Sequence, residues 1–481
     1  MSKIIISESI LMKRTLIISL ILSLGACSMV GLDYFRPKQA LPEQYQAAST
    51  EVSNTLVSSD WWKLYQDPVL DDLIAKASVN NTDIKIAVAR IEEADGYLRE
   101  VGAALLPQVN LDAGASRNKV TELGAVPLFN GMSSTRTNYN VRLGTVFELD
   151  FWGKLRRSQE AARAQALGSR YAKDTVDLSL KGLIANNYLF LRSLETQINL
   201  SKESLHTREE SLALTKRRLE GGIASALDVS QAEVACANLK AQLYDLERQR
   251  QIVEQQLAVL TGVMGLRIES ASLDRMPMPP IPPSGLPSSL LESRPDVRLA
   301  EQNLIAANAK IGVAKAALYP TISLTASYGG ESKDLGDVLK SAARIWTGGV
   351  GLYLPVFDSG RINAKIDQVT AQQKQALAAY ERSVQQAFQE VNDALVNLRQ
   401  YTESESALRD SEQASRRALD IANHRYQSGY VAYLDVLDAQ RVYNDSALAY
   451  VRSRQARLGA SVGLFKALGG GWQEPASALK K

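Results

Sequence analysis

Four stretches of the chain alternate apolar and polar residues with period two, and most of the remainder repeats its apolar positions at helical spacing. In the first stretch Val109, Leu111, Ala113 and Ala115 are apolar, while Asn110, Asp112 and Ser116 between them are polar. The second places Tyr139, Val141, Leu143, Thr145, Phe147, Leu149 and Phe151 on one parity. Asn138, Asn140, Arg142, Glu148 and Asp150 occupy most of the other, with Gly144 and Val146 between. Further on, Ile322, Leu324, Ala326 and Tyr328 alternate with Thr321, Ser323, Thr325 and Ser327, and Trp346, Val350, Leu352, Leu354 and Val356 share a single face. These patterns predict strands over 108–117, 138–151, 320–328 and 345–357. Alternating segments of about ten residues are the dyad signature of outer-membrane barrel strands. A half-buried soluble sheet alternates in the same way, so parity alone leaves both open.

The helical stretches are unusually long. From 153 to 219 there is no proline, and Ala, Leu, Arg, Glu and Gln dominate; 360–427 is its twin. At 1.5 Å per residue each is a rod on the order of 100 Å. A helix of that length needs a partner along it, which implies coiled-coil packing. Helices 227–262 and 433–468 supply the partner by folding back after glycine turns. Upstream, helical spacing starts near Asp60-Trp-Trp, continues through Ala75–Leu105 and ends at Pro107.

The two sets of elements are an internal duplication. Gly222 answers to Gly429, Leu227 to Leu434, Asp228 to Asp435, Val229 to Val436 and Ala232 to Ala439, all at one spacing. Asp83–Ala87 answers to Asp296–Ala300, and Ala103–Pro107 to Ala316–Pro320, at a slightly longer one, which places an inserted loop of the first copy between Pro107 and Gly153. The expected organisation is therefore a signal peptide over 1–26, an extended segment over 27–59, a first repeat over 60–263, a proline-rich connector over 264–288, a second repeat over 289–470 and a tail over 471–481. Met276-Pro-Met-Pro-Pro-Ile-Pro-Pro283 makes the connector semi-rigid and extended.

At 481 residues, 45% apolar and 22% charged, the composition is that of an ordinary folded protein. A formal charge of +3, without a basic run interleaved with aromatics, argues against nucleic acid as a partner. The N-terminus speaks to compartment. Lys13 and Arg14 precede the apolar run Leu16–Leu22, which is too short to span a bilayer and is followed by Leu24-Gly-Ala-Cys27. That tetrapeptide resembles the bacterial lipobox, which implies an S-diacylglycerol and N-acyl lipid on Cys27. By the same analogy, Ser28 after the cysteine favours sorting to the outer membrane. Several acyl chains anchor a protein stably where one is marginal. Cys236 is the only other cysteine, so a disulfide framework is not expected.

Catalytic chemistry finds little support. Gly459-Ala-Ser-Val-Gly463 matches a nucleophile-elbow pattern but lies within a helical run with no strand before it. His206 and His424 are the only histidines and sit on different long helices, so a triad or a metal cluster lacks ligands, and no cofactor is expected. One polar constellation remains: Asp435, Asp438 and Arg441 recur every third residue on one helix face. Their first-copy counterparts are Asp228, Gln231 and Val234, so only one charge is retained. A solvated helix face would explain the stripe; a face that differs between matching hairpins points to different surroundings.

Taken together, the residues resemble the TolC/OprM-type outer-membrane factor family, in its NodT-type subfamily. The markers are Leu286-Pro-Ser-Ser-Leu-Leu-Glu-Ser-Arg-Pro-Asp-Val297, Ala317-Leu-Tyr-Pro-Thr-Ile-Ser-Leu324, Phe147-Glu-Leu-Asp-Phe-Trp-Gly153, Tyr433–Arg441 and Ala467-Leu-Gly-Gly-Gly-Trp472. The resemblance implies an α+β membrane protein: a trimeric 12-stranded outer-membrane β-barrel, four strands per protomer, continued by a long periplasmic α-helical coiled-coil barrel. It implies a non-enzymatic exit duct of a tripartite efflux pump, with a homotrimer, a periplasmic adaptor protein, an inner-membrane transporter of the RND type and outer-membrane lipid as partners. It places a periplasmic gate at Leu434, Asp435, Asp438 and Arg441. Adaptor-contact tips fall at Arg218, Leu219, Gly221, Gly222, Ser225 and Asp228, and at Arg425, Ser428 and Gly429. A periplasmic coiled-coil scaffold with its strands in a soluble sheet is the competing reading.

Overall fold

The structure, a computed structural model, describes residues 29–38, 42, 45, 58–121, 123, 133–281 and 294–473. The expected signal peptide, Cys27, residues 124–132 of the inserted loop, residues 282–293 after the connector's start and residues 474–481 of the tail lie outside these. The chain forms two compact units, and each draws on both copies of the duplication. The first comprises 1–38, 91–168 and 300–380; the second comprises 39–90, 169–299 and 381–481.

The first unit holds a four-stranded antiparallel sheet, β1 (Gln108–Lys119), β2 (Thr135–Leu149), β3 (Thr321–Ser332) and β4 (Arg344–Tyr353), in the order β1-β2-β3-β4. Its register decides what the alternation means. Leu111 stands opposite Leu143, Leu143 opposite Tyr328, and Tyr328 opposite Trp346; Phe147, Leu324 and Val350 form a parallel row. All four apolar parities thus fall on one side, and that side is bare: Leu111 is 67% exposed, Val350 73% and Trp346 78%. The opposite side carries Asn110, Asp112, Arg142, Ser323 and Thr325, and Ser327 shares a 2.7 Å hydroxyl bond with Thr347. The sequence pattern carries β4 through 357, but the strand stops at Tyr353 because Pro355 follows and has no N–H for the ladder. β2 likewise stops at Leu149, before Asp150, whose carboxylate accepts the Leu155 and Arg156 N–H groups at 3.0 Å and so caps the helix beyond.

Residues 29–38 are laid against this unit as an extended strap. The Val30 N–H donates to the Trp152 carbonyl at 3.0 Å, Arg157 donates to Asp33 at 2.7 Å, and Arg36 grips the buried Glu301 carboxylate with two bonds of 2.6 and 2.9 Å. The strap passes so close that a Cβ at Gly312 would lie 2.8 Å from the Val30 carbonyl oxygen.

Among the described residues there are seven α-helices: α1 (Pro68–Asn80), α2 (Thr82–Ala103), α3 (Lys154–Glu220), α4 (Ala226–Thr261), α5 (Pro295–Ala316), α6 (Arg361–Gln427) and α7 (Tyr433–Ala467). α3 and α6 run 67 residues each without a break. The upstream helical stretch is by contrast interrupted at Asn81, whose extended backbone separates α1 from α2. Its side chain explains the break: Oδ1 caps α2 by accepting from the N–H groups of Asp83 and Ile84, and Nδ2 donates to the Leu260 carbonyl. In the second unit the apolar core joins Trp61, Leu70 and Ile74 to Tyr188 of α3, Leu257 of α4 and Phe465 of α7, with Trp61 stacked on Phe465 at 5.4 Å.

The start of the connector is more than a spacer. The N–H groups of Ile268, Ala271 and Leu273 donate to Glu254, Glu195 and Thr196, and Arg454 of α7 donates to the Met276 carbonyl at 3.0 Å. Buried carboxylates of α3 and α4 and an arginine of α7 therefore tie this segment down in the second unit.

Candidate channel gate and docking tips

Each long helix ends in the same turn. At the end of α3, the Ile223 N–H donates to the Arg218 carbonyl at 2.8 Å and the Gly222 N–H to the Leu219 carbonyl at 2.9 Å. At the end of α6, Tyr430 donates to Arg425 at 2.9 Å and Gly429 to Tyr426 at 3.1 Å. Both are Schellman closures, which need a left-handed residue at the turn. Gly222 (φ +75°) and Gly429 (φ +79°) supply it, and no atom lies within 4 Å of where a Cβ would stand. Gly221 and Ser428 occupy the preceding position, and the Ser428 hydroxyl donates back to the His424 carbonyl at 3.0 Å.

The helices that follow start differently. Ser225 and Asp228 form a full capping box: the Asp228 N–H donates to Ser225 Oγ at 3.2 Å, and the Ser225 N–H donates to the Asp228 carboxylate at 2.9 Å. In the second copy Ala432 has no side-chain oxygen, and only the return bond remains, from the Ala432 N–H to the Asp435 carboxylate at 3.1 Å. The Asp435 carboxylate therefore also caps α7, while its spacing keeps it on the helix face of Asp438 and Arg441. Asp438 and Arg441 do meet, Nη2 to Oδ1 at 2.7 Å, with a longer contact of 3.8 Å from Arg441 to Asp445. Their side chains are 61% and 64% exposed, so water screens the pair; the Asp438 hydrogen bond raises the guanidinium pKa further above its already high ordinary value.

Leu434, Asp438 and Arg441 line an open groove of about 690 Å³ between α4 and α7, facing their counterparts Leu227, Gln231 and Val234. The duplication thus places the two hairpins side by side, one wall charged and the other neutral. Behind the groove Ala232, Tyr433 and Val436 make a small core. Burial there pushes the Tyr433 hydroxyl pKa upward, and burial on the facing α4 pushes up the Cys236 thiol. A further tie escaped the sequence reading: the Arg218 guanidinium lies 4.6 Å above the Tyr426 ring, which in turn packs 5.4 Å from Tyr433. Tyr426 precedes Gly429 by one turn, but nothing local marks it as a partner of Arg218.

A sheet with one bare apolar side and two unpaired edges, carried with long paired helices, defines one protomer of an outer-membrane channel. The chain belongs to the outer membrane efflux protein family, whose model matches residues 73–263 and 286–470. It is 34% identical over 462 residues to the toluene efflux pump outer membrane protein TtgC of Pseudomonas putida, covering 94% of each chain. To the pyoverdine export outer membrane protein OpmQ of Pseudomonas aeruginosa it is 33% identical over 477 residues, covering 98% of this chain and 99% of that one. The open state of the MtrE outer membrane channel of Neisseria gonorrhoeae superposes with a TM-score of 0.84 at 32% identity, covering 93% of this chain and 99% of that one. The fold is that of the trimeric TolC/OprM-type channels, so three four-stranded sheets close the barrel that one cannot. The protein is the outer-membrane component of an efflux pump, residing in the outer membrane and extending into the periplasm.

Proposed function

We propose that this channel is the passive, non-catalytic exit duct of a tripartite pump. It passes toxic small molecules handed on by a periplasmic adaptor from an inner-membrane transporter of the RND type. Relatives named for toluene efflux and pyoverdine export support a broad range of cargo. Acylation of Cys27 would add a lipid anchor to the barrel. The glycine turns at Arg218–Ser225 and Arg425–Gly429 are the adaptor-contact tips, where a missing Cβ lets a partner helix come close. At those tips the duct is held shut by the second hairpin.

The Asp438–Arg441 pair in the groove beside Leu434 carries this reading. Threefold symmetry would repeat Leu434 and Asp438 as an apolar and a carboxylate ring across the tunnel end, and Arg441 relieves the repulsion within the latter. Adaptor docking opens the duct by moving the second-copy hairpin outward, α7 with it. The expected result is that Asp438→Ala with Arg441→Ala raises single-channel conductance in planar bilayers and admits vancomycin to cells. Gln231→Ala with Val234→Ala does much less. If both double variants conduct like the parent, the gate lies elsewhere.

A further inference from the structure

Adjoining the groove at Arg208 and Asn444, which line both, a cavity of about 220 Å³ lies between α3, α6 and α7. Its wall is about half polar, with Glu203 and Arg208 from α3, Arg416 and Asp420 from α6, and Gln440 and Asn444 from α7, beside Leu200, Leu419 and Ala447. Gln440 and Asn444 are each only 5% exposed. Neither amide atom of Gln440, nor Oδ1 of Asn444, has a hydrogen-bond partner among the described residues. Buried amides do not persist unpaired, because the group surrenders its bonds to water and recovers none. A water molecule's share of liquid volume is about 30 Å³, so the space holds several, and the unpaired amide atoms give them polar partners.

We infer that this cavity is a built water site, and that the hydrated slot is what allows α7 to shift against α3 and α6 when the gate opens. The second clause rests on the gate reading above; the first does not.

Three observations place the slot at the moving part. Gln440 is the neighbour of Arg441, so the same stretch of α7 carries the gate pair and the slot, and Asn444 lines both. Further along, α7 is clamped: Val451, Leu458, Val462 and Phe465 are buried in the apolar core. There Arg454 and Arg457 hold the buried Glu405 of α6 at 3.3 and 2.9 Å. Interdigitated apolar side chains resist sliding, whereas bridging waters exchange partners at little cost. Finally, the buried amide pair belongs to the second copy alone. The counterparts of Gln440 and Asn444 are Glu233 and Ala237; both are exposed, and Glu233 pairs with Lys216 at 2.8 Å.

Two measurements test this. A crystal structure of the full-length trimer, at a resolution that orders solvent, is expected to show water within hydrogen-bond distance of the Gln440 amide and of Asn444 Oδ1; an empty cavity overturns the site. Gln440→Leu with Asn444→Leu fills the slot with apolar atoms. It is expected to leave a folded trimer and to lower channel opening at least about fivefold in the Asp438→Ala, Arg441→Ala background. Opening at the level of that background, in a folded trimer, overturns the role in motion. If the background itself conducts like the parent, the gate reading falls while the crystallographic result still decides the water site. A Leu-substituted chain that fails to assemble, beside a parent structure showing water, supports the site, since the amides then bind solvent the fold requires.

Discussion

Glu405 shows how little a single residue's neighbourhood in sequence says about its work. It sits in Glu403-Ser-Glu405-Ser, the composition of a solvated helix face, yet its side chain is fully buried. Arg457, Arg454 and Arg409 approach it at 2.9, 3.3 and 3.4 Å. A carboxylate taken out of water survives only with partners, and here three guanidinium groups supply them. Glu405→Ala is therefore expected to leave Arg454 and Arg457 facing one another and to cost about 3–5 kcal/mol, read as a lower melting temperature of the detergent-solubilised trimer. Glu405→Gln, which keeps one acceptor oxygen in place, should lose less. Asp435 teaches the converse: the spacing that groups it with Asp438 and Arg441 is real, but the helix N-terminus claims its carboxylate first.

At the scale of elements, the two hairpins are built to one plan with unequal starts. Both glycine turns close identically, because the left-handed position leaves little choice of residue. α4 then begins with a complete capping box and α7 with half of one. Asp228→Ala and Asp435→Ala should each cost about 1 kcal/mol locally, seen by hydrogen exchange as faster amides in the first turn of α4 and of α7. Asp435→Ala should leave the Asp438–Arg441 pair in place. The same capping logic explains the interruption at Asn81. Helical spacing runs straight through that position, but a side chain able to bond its own backbone turned the chain there, with Leu260 as the outside partner that the periodicity did not contain.

For the whole molecule, the apolar side of the sheet is the decisive surface. Its four strands share a face only because their register agrees, and the outer edges of β1 and β4 have no partner strand in the chain's four-stranded sheet. In lipid that edge must close on other copies. Val350→Arg, on the bare side, is expected to cost about 2–4 kcal/mol and to reduce the heat-stable trimer recovered after folding into lipid vesicles. Thr325→Arg, one residue away in parity, should fold and instead alter conductance, since it faces the other side. Equal damage from both would mean that the sheet is not lipid-facing on one side.

What the sequence determined by itself was what repeats along the backbone. Period two named the strands and their apolar side, proline-free runs named the long helices, and paired glycines named both turns and the duplication. Each is a local consequence of backbone geometry. The tertiary structure alone decided which distant groups meet: Arg36 with Glu301, Glu405 with Arg454 and Arg457, Arg218 with Tyr426, and the buried amides of Gln440 and Asn444 around a shared cavity. Those pairings depend on which helices lie side by side and at what rotation, and the spacing of residues within one helix does not carry that information.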